Sequence, residues 1–178
     1  MAEERPSKDK YYLNIAEEVA KRSTCFRAHG GCLIIKDDQI IATGYIGAPR
    51  KTKDCLERGE CLRDKLNIPH GKQYEICRSV HAEQNAIINA ARAGVSLLGS
   101  TMYLHTRNGR GETIDAFPCY ICKKMIINAG IEKMICGNKD GGITTFYIKD
   151  WIDEWKQGDV LDDKYQYGSD QNKKENLS

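Results

Sequence analysis

Apolar residues recur along this chain with two different periods, and these periods predict where helices and strands form. A spacing of three and four residues predicts helices over 8–22, 81–93, 119–129 and 146–155. Short apolar runs between turn-forming residues predict strands over 32–36, 40–45, 101–105 and 133–136. Because an opening hairpin is followed by alternating strands and helices, we expect an α/β fold, a three-layer α/β/α sandwich with a central mixed sheet.

Two segments depart from this alternation. Residues 47–78 are rich in charge, glycine, proline and cysteine and show no sustained period, so we interpret them as a long cysteine-rich insert. The sequence beyond Lys156 is polar and predicts a loose C-terminal tail. With 178 residues, the chain has the size of one compact domain. We therefore expect one domain over residues 1–155 and a polar tail over 156–178.

Composition and charge narrow the classes of function. The chain is 40% hydrophobic and 29% charged, which allows a sizeable core. Its 27 basic and 25 acidic residues leave a net charge of +2, which argues against binding nucleic acid through bulk electrostatics. Its apolar runs are shorter than a membrane span, and its N-terminus lacks the apolar core of a signal peptide. We expect a cytoplasmic protein that does not span a membrane.

Eight cysteines are many for a chain that shows no sign of export. In a reducing compartment, such a set is more typical of metal ligands or catalytic thiols than of disulfides. Cys119 and Cys122 lie three residues apart at the start of a predicted helix, so they project to the same side. The helix N-terminus favours their thiolate forms. His81, which begins another predicted helix, would supply a third ligand and leave one zinc position open for water, as in catalytic sites.

Glu83 adds a proton acceptor to this set. It lies two residues after His81 on the same predicted helical turn, so its carboxylate can approach a zinc ion without ligating it. Two thiolates offset the charge of Zn²⁺, so such a zinc ion activates water less strongly than one held by histidines alone. A nearby carboxylate must then take the proton of the water and return it. His-x-Glu followed by Pro-Cys-x-x-Cys is the signature of zinc deaminases that act on nucleobases. A structural zinc clamp and a chance Cys-x-x-Cys near a helix start are the alternative interpretations.

Further motifs lie in the segments 22–25, 41–45, 81–87 and 125–131. In these segments the chain resembles the deoxycytidylate (dCMP) deaminases of the cytidine deaminase-like superfamily, over about residues 7–137. The resemblance implies that His81, Cys119 and Cys122 hold a catalytic zinc and that Glu83 shuttles protons. It also implies that the backbone N–H of Ala82 lies close to the substrate ring.

The same resemblance implies a fold and a reaction. The fold is cytidine deaminase-like, and the partners are a small-molecule nucleotide and further copies of the chain in a homo-oligomer. In the reaction, water attacks C4 of the cytosine ring of a free deoxynucleotide and ammonia leaves, which converts dCMP to dUMP. Two alternatives are open. One is a deaminase for another base or nucleotide, such as CMP, dCTP, a purine or tRNA adenosine, and the other is a zinc-binding regulatory module without activity.

The six other cysteines fall into two groups. Cys32 and Cys136 lie within apolar strand patterns, where we expect ordinary core packing. The remaining four lie in polar, turn-prone sequence and are Cys25, Cys55, Cys61 and Cys77. Four thiolates close a tetrahedral structural zinc site, and such a clamp would order the insert. The resemblance implies a second zinc in this segment, with His70 as a candidate substitute for one thiol, whereas free thiols and a disulfide pair are the alternatives.

The chain departs from the family pattern at Ile46, where dCMP deaminases usually carry Asn in a Gly-Tyr-Asn-Gly motif. That asparagine is a substrate contact in the family, and isoleucine offers no side-chain hydrogen bond. Loss of such a contact amounts to about 1–3 kcal/mol when its partner stays buried, which is enough to change substrate preference. The neighbouring Tyr45 is a candidate substrate contact.

A polar stretch over 105–117 is longer than its counterpart in the family and lies beside the expected pocket. Its Arg107 and Arg110 suit a phosphate, since guanidinium matches phosphate geometry, and a solvated, mobile loop is the alternative interpretation. Arg27, within a well-matched segment, is the better candidate for a substrate phosphate, with a surface ion pair as the alternative.

Overall fold

The computed structural model describes residues 5–158 of the protein. Its helices are α1 Lys8–Ala20, α2 Cys55–Arg58, α3 Leu62–Lys65, α4 Ala82–Arg92, α5 Tyr120–Asn128 and α6 Ile148–Gln157. Its strands are β1 Ala28–Lys36, β2 Gln39–Tyr45, β3 Thr101–Asn108, β4 Thr113–Ile114, β5 Lys133–Gly137 and β6 Ile143–Tyr147. A 3₁₀ turn spans Tyr74–Ile76. Within the described range, no helix is both long enough and apolar enough to cross a membrane.

The strands form one mixed sheet, as the sequence pattern predicts. Its order is β2-β1-β3-β5-β6, with the short β4 paired to the end of β3. The β3–β5 pair is parallel, and the other pairs are antiparallel. The β1–β2 hairpin turns at Asp37 and Asp38, whose φ angles of 50° and 60° give the left-handed backbone of a two-residue hairpin turn.

Helices cover both faces of the sheet, which confirms the predicted layered α/β fold. On one face, α1 packs through Tyr12, Leu13 and Ala16 against alternate residues of the strands, including Leu33 and Ile35. On the other face lie α4, α5 and α6 in a larger apolar cluster. Successive residues of β1 therefore point into opposite cores.

Two glycines let helices approach the sheet closely. A side chain at Gly31 would collide with the backbone of α1 at Ala16, and one at Gly44 would collide with the backbone of α4 at Ala82. Because Gly44 lies on β2, this close approach sets the N-terminus of α4 directly over the sheet. The residues around the start of α4 are thereby held on a rigid surface.

Helix α6 covers the side of α5 and closes the apolar cluster. Trp151 is 3% exposed and packs with its ring centroid 5.6 Å from that of Phe146. The ammonium of Lys123, in α5, lies 4.8 Å from the centre of the Trp151 ring. A buried lysine is stabilised by such a contact with an aromatic face.

The structure differs from the sequence prediction in three segments. The strand predicted to end at residue 105 continues to Asn108 and turns back as β4, so the polar stretch is a hairpin. Phe146 and Tyr147, predicted to begin a helix, form the end of β6 instead, and the helix starts at Ile148. The insert contains two four-residue helices and the 3₁₀ turn. Helix α6 continues through Lys156 and Gln157, which were predicted to begin the C-terminal tail, and the tail after Gly158 lies outside the described residues.

Candidate active site

The metal ligands predicted from the sequence lie where the N-termini of α4 and α5 meet. His81 is the N-cap residue of α4, and Cys119 is that of α5. Nδ1 of His81 lies 3.5 Å from Sγ of Cys119 and 3.4 Å from Sγ of Cys122, and the two sulfurs are 3.6 Å apart. Within residues 5–158, this is the one set of three histidine, cysteine or carboxylate donors whose ligand atoms lie within 4.8 Å of one another.

The spacing of these three atoms fits a zinc ion. With Zn–S bonds of about 2.3 Å and Zn–N bonds of about 2.0 Å, a tetrahedral ion separates its ligand atoms by about 3.5 to 3.8 Å. The separations in the protein, between 3.4 and 3.6 Å, agree with that geometry. One imidazole nitrogen and two thiolates form a donor set that zinc prefers, and they leave a fourth position for water or substrate.

Hydrogen bonding within this set favours a thiolate. The hydrogen bond between the two thiols, helped by contact with His81, lowers the pKa of Cys119 to about 4. The same hydrogen bond, together with burial, raises the pKa of Cys122 well above its usual range. Burial disfavours the charged form of His81, but the hydrogen bond to Cys119 and the charge of Glu83 raise its pKa overall. The set therefore presents a thiolate at neutral pH, which suits a divalent cation.

Glu83 is the second residue of α4 and is 5% exposed. Burial raises the pKa of its carboxyl, and the charge of His81 opposes that shift only in part. A buried carboxyl whose pKa is raised is suited to accept and return a proton near neutral pH. Ala82, the first residue of α4, is 1% exposed, and its backbone N–H has no acceptor within the helix.

A cavity of about 220 Å³ joins these residues to the insert, and Arg27 forms part of its wall. Nε of Arg27 lies 2.7 Å from Oδ1 of Asp64, and one terminal nitrogen donates to the carbonyl of Ile68 at 2.7 Å. The other terminal nitrogen is buried and has no hydrogen-bond partner among residues 5–158. Two contacts thus hold the Arg27 side chain in the cavity wall, and a guanidinium is a group that pairs with anions.

The β3–β4 hairpin also contributes to the cavity wall, through residues that the sequence did not single out. Thr106 from β3 and Ile114 and Asp115 from the returning strand line the cavity. Arg107 forms an ion pair with Glu17 of α1 instead. Arg110 is 85% exposed at the tip of the hairpin, 3.8 Å from Glu112. Neither of these two arginines lines the cavity; Arg110 is solvated, whereas Arg107 is held in its ion pair with Glu17.

The motif around Ile46 is divided between the cavity and the surface. Ile46 lines the cavity beside Gly30. Tyr45 is 37% exposed and lies outside the cavity wall, with its ring against Gly47 and its carbonyl accepting a hydrogen bond from Asn85. Because successive residues of an extended backbone point to opposite sides, Tyr45 at the end of β2 does not reach the site that Ile46 faces.

The four cysteines of the second predicted group lie together at the insert end of the cavity. Its wall includes Cys25, Cys55, Cys61, Cys77 and His70. Burial raises the pKa of the Cys55 thiol, and the nearby thiols of Cys25 and Cys61 add to that shift. These donors are neighbours. Within the described range, however, no three of them have ligand atoms that all lie within 4.8 Å of one another, as those of the first set do. Cys32 and Cys136 are fully buried in the core, as predicted.

Two further residues of the cavity wall, Arg63 and Tyr74, were missed by the sequence analysis. Arg63 is 4% exposed and donates to the backbone carbonyls of Pro69 and Lys72. Backbone acceptors leave no pattern of complementary residue types, so a single sequence does not reveal such a buried arginine. The sequence feature that could have indicated Arg63 and Tyr74 is their position between Cys61 and Cys77.

The sequence as a whole matches known proteins. Residues 6–138 match the family model described as the cytidine and deoxycytidylate deaminase zinc-binding region. The deoxycytidylate deaminase of Schizosaccharomyces pombe is 35% identical over 131 residues, which cover 74% of this chain and 37% of that protein. The deoxycytidylate deaminase of Mycobacterium phage D29 is 35% identical over 136 residues, covering 74% of this chain and 94% of that one.

A solved structure is similar as well. The crystal structure of dCMP deaminase from the cyanophage S-TIM5 in complex with dCMP and dUMP is 27% identical, with a TM-score of 0.53, covering 74% of this chain and 82% of that one. The chain spans less than two fifths of the length of its two yeast relatives, 37% and 38%. The matched region contains the His-x-Glu and Cys-x-x-Cys motifs and strands β1 to β5 of the mixed sheet. The chain therefore belongs to the cytidine and deoxycytidylate deaminase zinc-binding family.

Proposed function

We propose that the protein is a zinc-dependent deaminase that converts free dCMP to dUMP and ammonia. The observation that supports this proposal is one cavity lined by His81, Cys119 and Glu83 and also by Arg27, which has one buried nitrogen without a partner among residues 5–158. The first feature suits hydrolysis of an exocyclic amine, and the second suits a phosphate. The names of the curated relatives and the dCMP and dUMP bound in the related cyanophage structure agree with this substrate.

In the proposed reaction, a residue of this chain moves the proton at each step. A bound zinc ion supplies Lewis acidity, which makes water a nucleophile at neutral pH. Glu83 takes a proton from the attacking water and delivers it to N3 of the cytosine ring. It then takes the second proton from the oxygen added at C4 and passes it to the amino group, the C4–N bond breaks, and the carbonyl of uracil and ammonia result. The backbone N–H of Ala82 holds the ring edge, and the cavity wall excludes competing water.

A screen for released ammonia tests this function. Purified, zinc-loaded protein is assayed with deoxycytidine, dCMP, dCTP and CMP, and we expect dCMP to have the highest kcat/KM. No ammonia from any of these compounds would exclude the proposal. Because Ile46 replaces a polar side chain in the cavity wall, the screen also includes purine nucleotides and a tRNA with adenosine. Turnover of one of these instead of dCMP would identify a deaminase of different specificity.

We further propose a second, structural zinc held by Cys25, Cys55, Cys61 and Cys77. The proposal is supported by their common place in the cavity wall and by the backbone N–H of Arg27, which lies 3.4 Å from Sγ of Cys25 as a hydrogen-bond donor. Such N–H groups stabilise thiolate ligands. His70, which lies in the same wall, is the substitute ligand if one thiol stays free.

We also propose that residues 1–155 form one deaminase domain and that the protein is a cytoplasmic homo-oligomer. Leu98 and Tyr147 are 66% and 58% exposed, and burial of such apolar side chains between copies would stabilise an oligomer. The six cysteines proposed as zinc ligands must be reduced, which suits a reducing compartment. Light scattering after gel filtration tests the oligomer, and the mass of a single 20.1 kDa chain would contradict it.

A further inference from the structure

The aromatic ring of Tyr74 connects the cysteine-rich insert to the metal ligand His81. Tyr74 begins the 3₁₀ turn of the insert. Its ring centroid lies 4.7 Å from that of His81, and the two ring planes meet at 84°. Edge-to-face packing at this distance is the favoured arrangement of two aromatic rings, and it restricts the rotation of both.

Arg63 holds Tyr74 in this position. Its guanidinium carbon lies 4.8 Å from the centre of the Tyr74 ring. The same guanidinium donates to the carbonyls of Pro69 and Lys72 at 2.6 and 2.5 Å, and the side chain is 4% exposed. A buried arginine with this many fixed contacts has one position, so the ring stacked on it is fixed as well.

His81 needs support of this kind. It is the N-cap residue of α4, and its backbone N–H donates to the side chain of Gln84, a contact that holds the backbone. Nδ1 faces the two sulfurs. The orientation of the ring therefore depends on what packs against it, and residues that orient a ligating histidine tune the metal site.

We propose that Tyr74 is a positioning residue for His81, so that the cysteine-rich insert forms part of the catalytic metal site. Arg63 supports Tyr74 from within the insert. Cys61 is the N-cap residue of α3, which carries Arg63, and Cys77 directly follows the 3₁₀ turn that carries Tyr74. The order of the insert is thereby transmitted to one zinc ligand. This inference rests on the proposed role of His81 as a ligand.

The test compares Tyr74→Leu, which removes the ring, with Tyr74→Phe, which keeps it. Zinc affinity is measured by competition with a chelator, and the cobalt-substituted proteins are compared by visible absorption. We expect Tyr74→Leu to weaken metal binding about tenfold, to alter the cobalt ligand-field bands and to lower kcat more than it raises KM. We expect Tyr74→Phe to keep wild-type affinity and spectrum. Tyr11→Leu, at a 49% exposed tyrosine of α1, is the matched control.

The outcomes separate this inference from the proposed function. Wild-type affinity and spectrum in Tyr74→Leu, or equal damage in Tyr74→Phe, would overturn the positioning role. A wild-type cobalt spectrum that is retained in Cys119→Ser would instead show that the proposed metal site is wrong. If Tyr74→Leu does not fold, Arg63→Lys carries the test, because it keeps the charge but loses the planar stack. We then expect weaker metal binding with an unchanged fold by circular dichroism, and unchanged binding would overturn the inference.

Discussion

Glu83 and Arg27 show how the burial of a charged side chain gives it a chemical role. Glu83 is 5% exposed in an apolar wall, so its carboxyl holds a proton more readily than a carboxyl in water. Arg27 has one buried nitrogen without a partner among the described residues. The first observation supports the proposed role in proton transfer, and the second supports the proposed binding of an anion.

Glu83→Gln is expected to keep the zinc and the fold while kcat falls by about 10² to 10⁴-fold. Glutamine has nearly the shape of glutamate but neither accepts nor delivers the proton. Zinc content, thermal midpoint and ammonia release from dCMP are measured together. Glu112→Gln, on the exposed hairpin, is the control and is expected to match wild type. Wild-type turnover in Glu83→Gln would show that another group moves the proton.

Arg27→Ala is expected to lower kcat/KM for dCMP by about tenfold to a hundredfold and to leave that for deoxycytidine nearly unchanged. Hydrogen bonds to charged groups account for an effect of this size. Steady-state rates with the two substrates give the comparison. Arg110→Ala is the matched control, because Arg110 lies outside the cavity wall and is 85% exposed. An equal loss for both substrates would indicate that Arg27 acts only on the fold, through Asp64 and Ile68.

The insert is the element whose order is hardest to explain from local sequence. Its helices α2 and α3 have four residues each, far below the length of about 12 to 15 residues at which an isolated helix becomes stable. The capping box formed by Asp54 and Glu57 supports only the first turn of α2. A metal cross-link between Cys25, Cys55, Cys61 and Cys77 would supply the missing constraint.

Cys55→Ser is expected to reduce the zinc content from about two ions per chain to about one. Loss of one thiolate opens a tetrahedral site, and the released insert becomes a target for proteases. Metal analysis and limited proteolysis are the measurements. Cys136→Ala is the control, since Cys136 is buried in the core away from the insert. One zinc per chain in the wild-type protein would remove the second site.

The β3–β4 hairpin shows why the local sequence pattern does not predict some elements. Residues 105–117 have few apolar positions, and glycine and charge dominate, so they are typical of a loop. The strand forms because Thr106 and Arg107 pair with Ile114 and Thr113 across the turn. β6 is similar, since Ile143–Tyr147 becomes a strand by pairing with the buried β5. In β4 the partner strand decides the structure, whereas Ile143–Tyr147 consists of residues that favour strands by their own propensity as well.

The whole sheet brings distant parts of the sequence into one site. Parallel pairing of β3 with β5 requires a crossover, and α5 makes that crossover on the same face as α4. Their N-termini consequently lie side by side, which joins His81 to Cys119. Metal binding at this junction would tie two helices together, so chelation is expected to lower the thermal midpoint of the whole domain.

His105 contributes to the pH dependence of stability, and it lies on the face of the sheet opposite the candidate active site. His105 is 7% exposed, and its Nε2 is buried without a partner among residues 5–158. Burial lowers the pKa of His105, and the charge of Glu17 opposes this only in part. Because the folded pKa is lower than the unfolded one, the unfolded chain takes up a proton first as pH falls. This contribution to stability is present above about pH 6.5 and is lost below it.

His105→Gln is expected to flatten the loss of stability on acidification. Wild-type and variant proteins are unfolded by heat at several values between about pH 8 and about pH 5.5, and the difference between their midpoints is followed. We expect the thermal midpoint of the variant to fall less than that of wild type over this interval, whatever the difference between the two midpoints at about pH 8. Parallel curves would mean that His105 does not titrate during unfolding.

From sequence alone, the periodicity and the motif spacing determine the α/β class, the placement of His81 and Cys119 at helix starts, and the zinc chemistry of the first ligand set. These follow from local physics, because helix ends, alternation and thiol spacing depend on near neighbours. Only the tertiary structure decides that Arg27 has a buried nitrogen without a partner in the described part of the chain, that Arg107 pairs with Glu17 away from the cavity, and that Tyr74 packs on His81. These contacts join residues that are far apart in the chain, and their geometry is set by how sheet and helices pack.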